Sequence, residues 1–593
     1  MCGLSGELRW DGGRPDLAAV ERMTDALERR GPDGRGAWSQ GAVALGHRRL
    51  KIIDLSERGG QPMTDPHLGL TAVFNGCVYN HRELRVRLEG MGHRFFSESD
   101  TEVLLKAYAQ WGRRCVDFLV GMFAFAVAEH RTGRVVLARD RLGIKPLYVT
   151  EDTDRLRFAS SLPALLAGGG VDTSVDPLAL HHYLSWHGTV PAPRTVLAGV
   201  RKLPPATVRV IESDGSHEDH CYWQPSYTRR PELGEDPALW REAVHDALRT
   251  AVRRRTVADV PVGVLLSGGL DSSLIVALLA EQGQDGLATF AMGFEAENGE
   301  DGDEFPYSDL VSRHFATEHH RYRVSSDRLP AALRAAIGAM SEPMVSHDAV
   351  AFHMLSEQVA NEVKVVLCGQ GADEVFAGYH WYPPIASASR QHAADAYADV
   401  YTDRSHDRLT EMLHPDAAPA HDASMAFVRS HMGAPGAETS LDAALRMDIH
   451  ALMPDDPVKR LDNMTMAWGL EARVPFLDHE LVELAAACPP ELKLAHGGKA
   501  VLKDIGRKVL PPGVVDRPKG YFPVPAVRNL AAPVLEHVRE ALAAPEARRR
   551  GIFDQAYVAD LLAAPGRHRA RRGASTLWQV ASLEIWLQAH GIH

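Results

Sequence analysis

A short turn at residues 267–273, Ser-Gly-Gly-Leu-Asp-Ser-Ser, constrains the fold of this chain more than any other stretch. The apolar residues 262–266 before it predict a buried strand, and the apolar run 274–280 after it predicts a helix. Glycine lets the backbone approach a ligand closely, and a helix N-terminus directs N–H groups at an anion. Asp271 would repel a phosphate unless Mg²⁺ lies between them, so the turn predicts a magnesium-nucleotide site.

Length, charge and cysteine usage exclude several classes of protein. A chain of 593 residues predicts more than one domain, and a net charge of −12 argues against a nucleic-acid binder. The sequence has no apolar run of about 18 residues, so we expect no membrane span. Residues 1–7 lack the pattern of a signal peptide. The six cysteines form no C-x-x-C pair, which indicates a cytoplasmic protein without disulfides or structural zinc.

Cys2 is the second constraining feature. Removal of the initiator Met would leave one residue with a thiol and a free α-amine, whose pKa of about 8 lets it act as a base. An isolated cysteine is more often a packing residue. A series of ordered motifs favours a catalytic one instead, and these motifs occupy residues 30–33, 46–54, 74–80, 99–102, 121–126 and 138–148.

This series resembles the class II glutamine amidotransferase domain over residues 2–211. The resemblance implies a four-layered αββα glutaminase domain of the N-terminal-nucleophile type. It implies that Cys2 attacks the side-chain amide of glutamine, forms a γ-glutamyl thioester and releases ammonia. Cys77 stands where many family members have a glutamate that helps to hold the glutamine amine, and we expect Cys77 to be a small packing residue.

The same resemblance implies a role for each matched residue. An arginine fork at Arg49 suits the α-carboxylate of glutamine, and Asp100 suits its α-ammonium. Asn75 and the Gly76 N–H suit an oxyanion hole. The glutamine-binding residues implied in this way are Arg49, Ile53, Asn75, Gly76 and Asp100.

The second part of the chain predicts a parallel sheet. Residues 212–237 are rich in polar residues, Pro and Gly, which indicates a linker. In residues 238–593 strands and helices alternate, which is typical of a doubly wound parallel α/β sheet. Ligands of such sheets bind at the carboxyl ends of strands. A second glycine turn at 368–379 follows a predicted strand, so one nucleotide could contact both turns.

The paired turns resemble the asparagine synthetase family, together with residues 454–456, 464–467, 470–478, 498–503 and 517–521. The resemblance implies an ATP-pyrophosphatase domain of the adenine nucleotide α-hydrolase type, which adenylates a carboxylate and converts ATP to AMP and pyrophosphate. It implies Mg²⁺ at Asp271 and Asp373. The implied ATP-binding residues are Leu266, Ser267, Gly268, Gly269, Asp271, Ser272, Met292, Cys368 and Gly369.

Two further positions bear on the chemistry of this half, and one region has no recognisable role. The resemblance implies that Lys499 reaches the pyrophosphate and stabilises developing negative charge, as a catalytic residue. Gln370 stands where some relatives carry a glutamate credited with proton transfer. The polar region 385–450 matches no functional pattern, and we expect it to form a solvated helical surface.

The acceptor segment is expected at residues 340–353, where asparagine synthetases bind aspartate and where this chain lacks their arginine. A site without an arginine fork suits a longer and mostly neutral acceptor. This segment, with residues 1–9, 47–55 and 577–579, resembles the N-acetylglutaminylglutamine amidotransferases. Those enzymes amidate the C-terminal carboxylate of N-acetyl-Gln-Gln and produce a neutral osmolyte.

Two alternatives stay open at this point. One is a glutamine-hydrolysing asparagine synthetase, and the other is a non-catalytic regulatory or binding member of the family. The expected partners are glutamine, ATP and a carboxylate acceptor, without nucleic acid or membrane, and the sequence leaves a homodimer open. Because free ammonia is protonated in water, we expect an enclosed path between two domains that pack face to face.

Overall fold

The computed structural model describes residues 2–284, 286–296, 302–517, 524–571 and 573–593. Within these residues two antiparallel sheets form the N-terminal part and one parallel sheet lies in the C-terminal part. No helix in the described ranges is long and apolar enough to cross a membrane. Residues 518–521 of the predicted motif at 517–521 lie outside the described residues.

The N-terminal sheets contain six strands each, in the orders β10-β8-β9-β1-β3-β2 and β12-β11-β7-β6-β5-β4. The strands are β1 (Gly3–Arg9), β2 (Gly34–Gln40), β3 (Val43–Arg49), β4 (Met63–Asp65), β5 (Leu70–Val78), β6 (Gly121–Glu129), β7 (Val135–Arg139), β8 (Tyr148–Glu151), β9 (Arg155–Ala159), β10 (Arg201–Lys202), β11 (Thr207–Ile211) and β12 (His217–Cys221). The helices of this part are α1 (Leu17–Asp25), α2 (His81–Gly90), α3 (Asp100–Trp111), α4 (Leu162–Gly168) and α5 (Pro177–Ser185).

The two sheets pack face to face through side chains that alternate along each strand. Leu4 and Leu45 of the first sheet share one core with Val73 and Leu137 of the second. Helix α1 packs against the outer face of the first sheet, and α3 packs against the outer face of the second. Ser99 caps α3 by accepting a hydrogen bond from the Thr101 N–H. This arrangement confirms the predicted αββα layers.

Strand β12 lies inside residues 212–237, which the sequence predicts as a linker. It pairs with β11 at the edge of its sheet, and most of its side chains are exposed. An exposed edge strand can have the same polar composition as a linker, so the composition of residues 212–237 did not reveal β12. The next helix begins at Pro237, after the cap residue Asp236.

The parallel sheet has the order β15-β14-β13-β16-β17. Its strands are β13 (Val262–Leu265), β14 (Ala288–Phe294), β15 (Glu318–Val324), β16 (Val365–Leu367) and β17 (Glu471–Arg473). The helices around it are α6 (Pro237–Arg255), α7 (Leu270–Glu281), α8 (Phe305–Phe315), α9 (Leu329–Ala339), α10 (Asp348–Val359), α11 (Ala372–Phe376), α12 (Tyr382–Ser387), α13 (Ala393–Tyr401), α14 (His406–Thr410), α15 (Ala423–Gly433), α16 (Ser440–Met447), α17 (Pro457–Met466), α18 (His479–Ala487), α19 (Pro490–Leu494), α20 (Ala500–Val509), α21 (Pro525–Arg528), α22 (Ala532–Ala543), α23 (Pro545–Arg550), α24 (Gln555–Ala563) and α25 (Thr576–Ala589).

The neighbouring strands β13 and β16 bring the two glycine turns to one edge of the sheet. Both strands are short and apolar, both run in the same direction, and a helix follows each turn. The carboxyl ends of parallel strands lie at the same edge, so residues 267–273 and 368–379 meet there. The predicted parallel sheet is confirmed.

The sequence predicts that the region 385–450 forms a solvated helical surface, and this prediction is wrong. Its helices pack around a core of their own that includes Tyr397, Val428 and Leu441, and Trp186 of the N-terminal part joins this core. The hydroxyl groups of Tyr382 and Tyr397 both donate to the carboxylate of Asp448, at 2.6 and 2.5 Å. Buried hydroxyl groups usually need such partners, so the polar residues here support packing.

A buried ion cluster joins the N-terminal part to the parallel-sheet part. Asp462 of α17 lies 2.9 Å from Nη1 of Arg30 and 3.2 Å from Nζ of Lys145. A second cluster joins Lys202 to Glu342 at 2.9 Å and to Asp455 at 2.6 Å. The side chains of these clusters are almost fully buried. The two parts therefore share an interface whose charged side chains are as buried as those of a protein interior.

Substituting Asp462 by Ala is expected to lower the free energy of unfolding by about 3–5 kcal/mol, because two buried cations lose their carboxylate. Thermal and urea unfolding of the full chain measure the change. Glu411→Ala is the control, because Glu411 pairs with Arg408 at 3.5 Å with both side chains mostly exposed. Equal unfolding midpoints for the two variants would contradict the structural role of Asp462.

Candidate functional site

Cys2 lies immediately before β1 and is 7% exposed. Its backbone N–H donates to Oδ1 of Asn75 at 3.1 Å, and its Sγ lies 3.9 Å from the carbonyl oxygen of Leu50. Burial raises the pKa of the Cys2 thiol, so the side chain is a neutral thiol in this environment. A residue that acts as a nucleophile here needs a base close by.

Asn75 and Gly76 lie next to Cys2 on β5. The Nδ2 atom of Asn75 is buried and has no hydrogen-bond partner among the described residues, so this donor is available to a ligand. A Cβ on Gly76 would lie 2.1 Å from the carbonyl oxygen of Met122, so the close approach of β6 requires glycine. The two predicted residues thus lie together beside Cys2.

Arg49, at the end of β3, and Asp100, at the start of α3, line the same cavity. The Arg49 guanidinium donates to the carbonyl oxygens of Ser56 at 2.8 Å and Ile53 at 3.4 Å. Asp100 begins α3, and its Oδ2 accepts from the Val78 N–H at 3.0 Å. Burial raises the pKa of the Asp100 carboxyl group. The cavity contains one cationic and one acidic group from the N-terminal part.

This cavity, called the Cys2 cavity below, encloses about 30 Å³. Cys2, Arg49, Ile53, Gly76 and Asp100 line it, as do Cys77, Glu471 and Arg473. The volume holds one or two water molecules, so a ligand the size of glutamine requires its walls to separate. Cys77 is buried, and burial raises the pKa of its thiol, which fits a packing residue.

The sequence did not assign the charged residues Glu471 and Arg473 to the Cys2 cavity, although both line it. They lie on β17, more than half the chain away from Cys2 in sequence. Successive side chains of a strand alternate between faces, so residues 471 and 473 share a face. Both residues belong to the motif at 470–478 that carries the synthetase resemblance, but nothing in that motif linked them to Cys2.

A larger pocket of about 680 Å³ lies at the edge of the parallel sheet. Most predicted ATP-binding residues line it, namely Leu266, Ser267, Gly269, Asp271, Ser272, Met292, Cys368 and Gly369. The predicted metal ligand Asp373, the predicted catalytic residue Lys499 and Gln370 also line it. Gly268 does not line the pocket. With φ at +72° it lets the turn pass α8, since a Cβ there would lie 2.4 Å from the Ser308 nitrogen.

Lys499 connects the two glycine turns. Its Nζ lies 2.7 Å from Oδ2 of Asp271 and 2.9 Å from Oδ1 of Asp373. Burial alone would lower the pKa of Lys499, but the two carboxylates hold it above its ordinary value. The carboxylates of Asp271 and Asp373 therefore face one point, and carboxylate oxygens are ligands that Mg²⁺ prefers.

The rest of the large pocket is lined by aromatic and charged residues. Trp381 stacks on Tyr379 with ring centroids 4.1 Å apart, and its edge contacts Tyr401. The sequence did not predict these aromatic residues, which lie in and beside the region 385–450. The pocket also takes Val345, Ser346, His347, Asp348 and Phe352 from the predicted acceptor segment.

Trp578 contacts the segment 340–353, which the sequence predicts to bind the acceptor. Its Nε1–H donates to the carbonyl oxygen of Val345 at 2.7 Å, and its ring also lines the large pocket. Residues 577–579 carried part of the sequence resemblance, and the structure brings them beside the segment 340–353. Two stretches more than 200 residues apart therefore form one wall.

Family comparisons agree with this architecture. A model of the asparagine synthase family matches residues 243–588, which is more than half of the chain. The chain belongs to the asparagine synthase family. A glutamine amidotransferase domain model matches residues 1–223, which includes β12. The protein is therefore a glutamine-hydrolysing amide ligase, and ATP is a co-substrate of such enzymes.

Several relatives match over most of their length. "Asparagine synthetase [glutamine-hydrolyzing] 3" of Bacillus subtilis is 29% identical over 100% of this chain and 99% of its own. "Asparagine synthetase [glutamine-hydrolyzing] 1" of the same organism is 30% identical over 96% and 93%. "Amidase chry2" of Gibberella zeae is 27% identical over 87% of each chain. Relatives with different names show similar identity, so similarity alone does not determine the acceptor.

Substituting Gly268 by Ala in this family member is expected to weaken ATP binding by about tenfold or more. A left-handed alanine costs about 1–2 kcal/mol, and its Cβ would also collide with α8 and displace the turn. Isothermal titration calorimetry with ATP measures the change.

Gly283→Ala is the matched control for this substitution. Gly283 has nearly the same φ, +76°, but no atom lies within 4 Å of a Cβ at that position. It follows the end of α7, whereas Gly268 precedes the start. If both variants bind ATP alike, the close approach of α8 has no bearing on the nucleotide site.

Proposed function

We propose that the protein transfers ammonia from glutamine to the carboxylate of an extended and uncharged acceptor, and that this acceptor is N-acetylglutaminylglutamine. The observation that carries the proposal is the large pocket of about 680 Å³, which extends past the nucleotide turns to an aromatic wall. The rings of Tyr379, Trp381 and Tyr401 in this wall give the uncharged part of an extended acceptor an apolar surface to pack on.

The charges of the pocket support the same acceptor. Arg460 lines the pocket, and its Nη1 donates to Asp456 at 2.8 Å. Asp348 also adds to the negative potential around the Arg460 guanidinium. Two carboxylates around one guanidinium disfavour a second carboxylate on the acceptor. An acceptor with a single carboxylate avoids that repulsion.

Asparagine formation is the second candidate. The Nε atom of Arg460 is buried, and in the described part of the chain it has no hydrogen-bond partner. A small dicarboxylate could use this donor. Two of the relatives also carry the name asparagine synthetase.

The Cys2 cavity performs the first half of the proposed reaction. The α-amine of Cys2, which removal of the initiator Met would free, takes the proton of the thiol as the sulfur attacks the side-chain amide carbon of glutamine. Asn75 Nδ2 and the Gly76 N–H stabilise the oxyanion. The same proton then passes to the amide nitrogen, which leaves as ammonia, and water hydrolyses the γ-glutamyl thioester. Arg49 binds the α-carboxylate and Asp100 the α-ammonium, with Ile53 as a wall of the same site.

The large pocket performs the second half. The acceptor carboxylate attacks the α-phosphorus of ATP, pyrophosphate leaves, and an acyl-adenylate forms. Ammonia then attacks the acyl carbon, gives up a proton, and AMP leaves with the bonding electrons. Lys499 stabilises the negative charge that develops on the phosphates. Asp271 and Asp373 would hold Mg²⁺, which neutralises phosphate charge when bound.

Substituting Cys2 by Ala is expected to lower glutamine-dependent amide formation by at least about 10³-fold, because the nucleophile is removed. Activity with added ammonium salts should persist, because the large pocket is unchanged. Amide and AMP are measured with each nitrogen source. Cys115→Ala is the control, since Cys115 is a buried cysteine of the same part of the chain and lies outside the cavity. Loss of both activities in Cys2→Ala would contradict the assigned role.

With glutamine and Mg-ATP, the protein is expected to convert N-acetyl-Gln-Gln to its C-terminal amide and to release AMP. The kcat/KM for aspartate should be at least about 100-fold lower, because aspartate brings a second carboxylate to an acidic pocket. Mass spectrometry of the amide and AMP release measure both reactions. Turnover with aspartate and none with the dipeptide would show that asparagine is the product.

A further inference from the structure

A glutamine molecule in the Cys2 cavity presents two charges, and the cavity must meet both. The α-carboxylate has a cationic partner in Arg49. The α-ammonium needs carboxylates, and among the described residues that line the cavity these are Asp100 and Glu471. Asp100 belongs to the N-terminal part, whereas Glu471 belongs to the parallel-sheet part.

We propose that Glu471 is a glutamine-binding residue that the synthetase domain contributes to the Cys2 cavity, where it meets the α-ammonium together with Asp100. This inference rests on the proposed role of the cavity in glutamine hydrolysis. It implies that the glutamine site is complete only when the two domains are packed together.

The position of β17 supports the proposal. Leu50 and Ile52, which line the Cys2 cavity, pack against Val365 of β16, the neighbour of β17. The N–H of Asp259 also donates to the carbonyl oxygen of Ile52 at 2.9 Å. The parallel sheet and the wall of the Cys2 cavity are therefore in direct contact, and Glu471 and Arg473 of β17 line the same cavity as Cys2.

The charges in the cavity show that Glu471 and Asp100 share one space. Burial raises the pKa of Asp100, and the charge of Glu471 adds to that rise. The same charge contributes to the raised pKa of Cys2. Two carboxylates in one buried space repel each other, and an ammonium group between them relieves the repulsion.

Arg473 positions Glu471. Its Nε donates to Oε1 of Glu471 at 2.5 Å, and its Nη1 donates to the carbonyl oxygens of Arg255 at 2.7 Å and Val257 at 2.8 Å. Its guanidinium also lies over the ring of Tyr79, 5.6 Å from the centroid. These contacts fix the Glu471 carboxylate at the wall of the cavity, and a carboxylate can accept several hydrogen bonds at once.

The test compares the binding of two ligands to full-length protein. Cys2→Ala serves as the parent, because it prevents turnover, and Cys2→Ala/Glu471→Gln removes the charge. The ligands are glutamine and glutaramate, which is glutamine without the α-amino group. Isothermal titration calorimetry gives the Kd of each pair.

Glu471→Gln should raise the Kd of glutamine by about 10- to 100-fold, since a charge-assisted hydrogen bond is lost. The Kd of glutaramate should change by less than about twofold. Glu471→Asp, which keeps the charge, should bind glutamine more tightly than Glu471→Gln. A purely structural role would weaken both ligands equally and would overturn the proposal, as would an unchanged Kd for glutamine.

Glu584→Gln in the Cys2→Ala parent is the matched control. Glu584 is another buried carboxylate of the synthetase domain with an ion-pair partner, Arg550, but both residues lie in that domain and neither lines the Cys2 cavity. Its Kd for glutamine should equal that of the parent. If the Cys2→Ala parent itself binds neither ligand, the proposed glutamine site fails along with this inference. A parent that binds both ligands, with no effect of Glu471→Gln, overturns this inference alone.

Discussion

A buried carboxylate at the domain interface, Asp462, pairs with two cations of the N-terminal domain, Arg30 and Lys145. Removing charges from water is costly, so such a cluster is stable only when its partners stay together. Arg30, one of these cations, also donates to the carbonyl oxygen of Cys2 at 3.4 Å. The contact that joins the domains therefore also touches the residue proposed as the nucleophile. Loss of the interface would disturb the Cys2 cavity directly.

Local structure was predictable where neighbouring residues encode it. The strand, turn and helix around Asp271 follow from a few residues that are adjacent in the sequence. Strand β17 was not predictable, because three residues gain their pairing only from β16, which lies more than 100 residues earlier in the chain. Strand β12 was also concealed, since an exposed edge strand has a linker's composition. Tertiary packing, rather than propensity, decides both cases.

The charges at the junction of the two glycine turns bear on the proposed nucleotide site. Asp271, Asp373 and Lys499 together carry a net charge of about −1, counted from their ordinary ionisation states. A polyphosphate that approached these residues alone would meet two carboxylates and one ammonium group. Bound cations change the sign of such a site, so the same residues can repel a free phosphate and accept a metal-bound one.

Strand β17 also offers a short structural route between the two sites. On one side, the side chains of Glu471 and Arg473 line the Cys2 cavity. On the other, the carbonyl oxygen of Arg473 accepts from the N–H of Cys368, at the second glycine turn, at 2.9 Å. Because the strand is buried and closely packed, a displacement at one end reaches the other. A ligand that binds Glu471 therefore contacts the strand that supports the second glycine turn. If glutamine binding changes the affinity for the nucleotide through this strand, nucleotide binding changes the affinity for glutamine by the same factor.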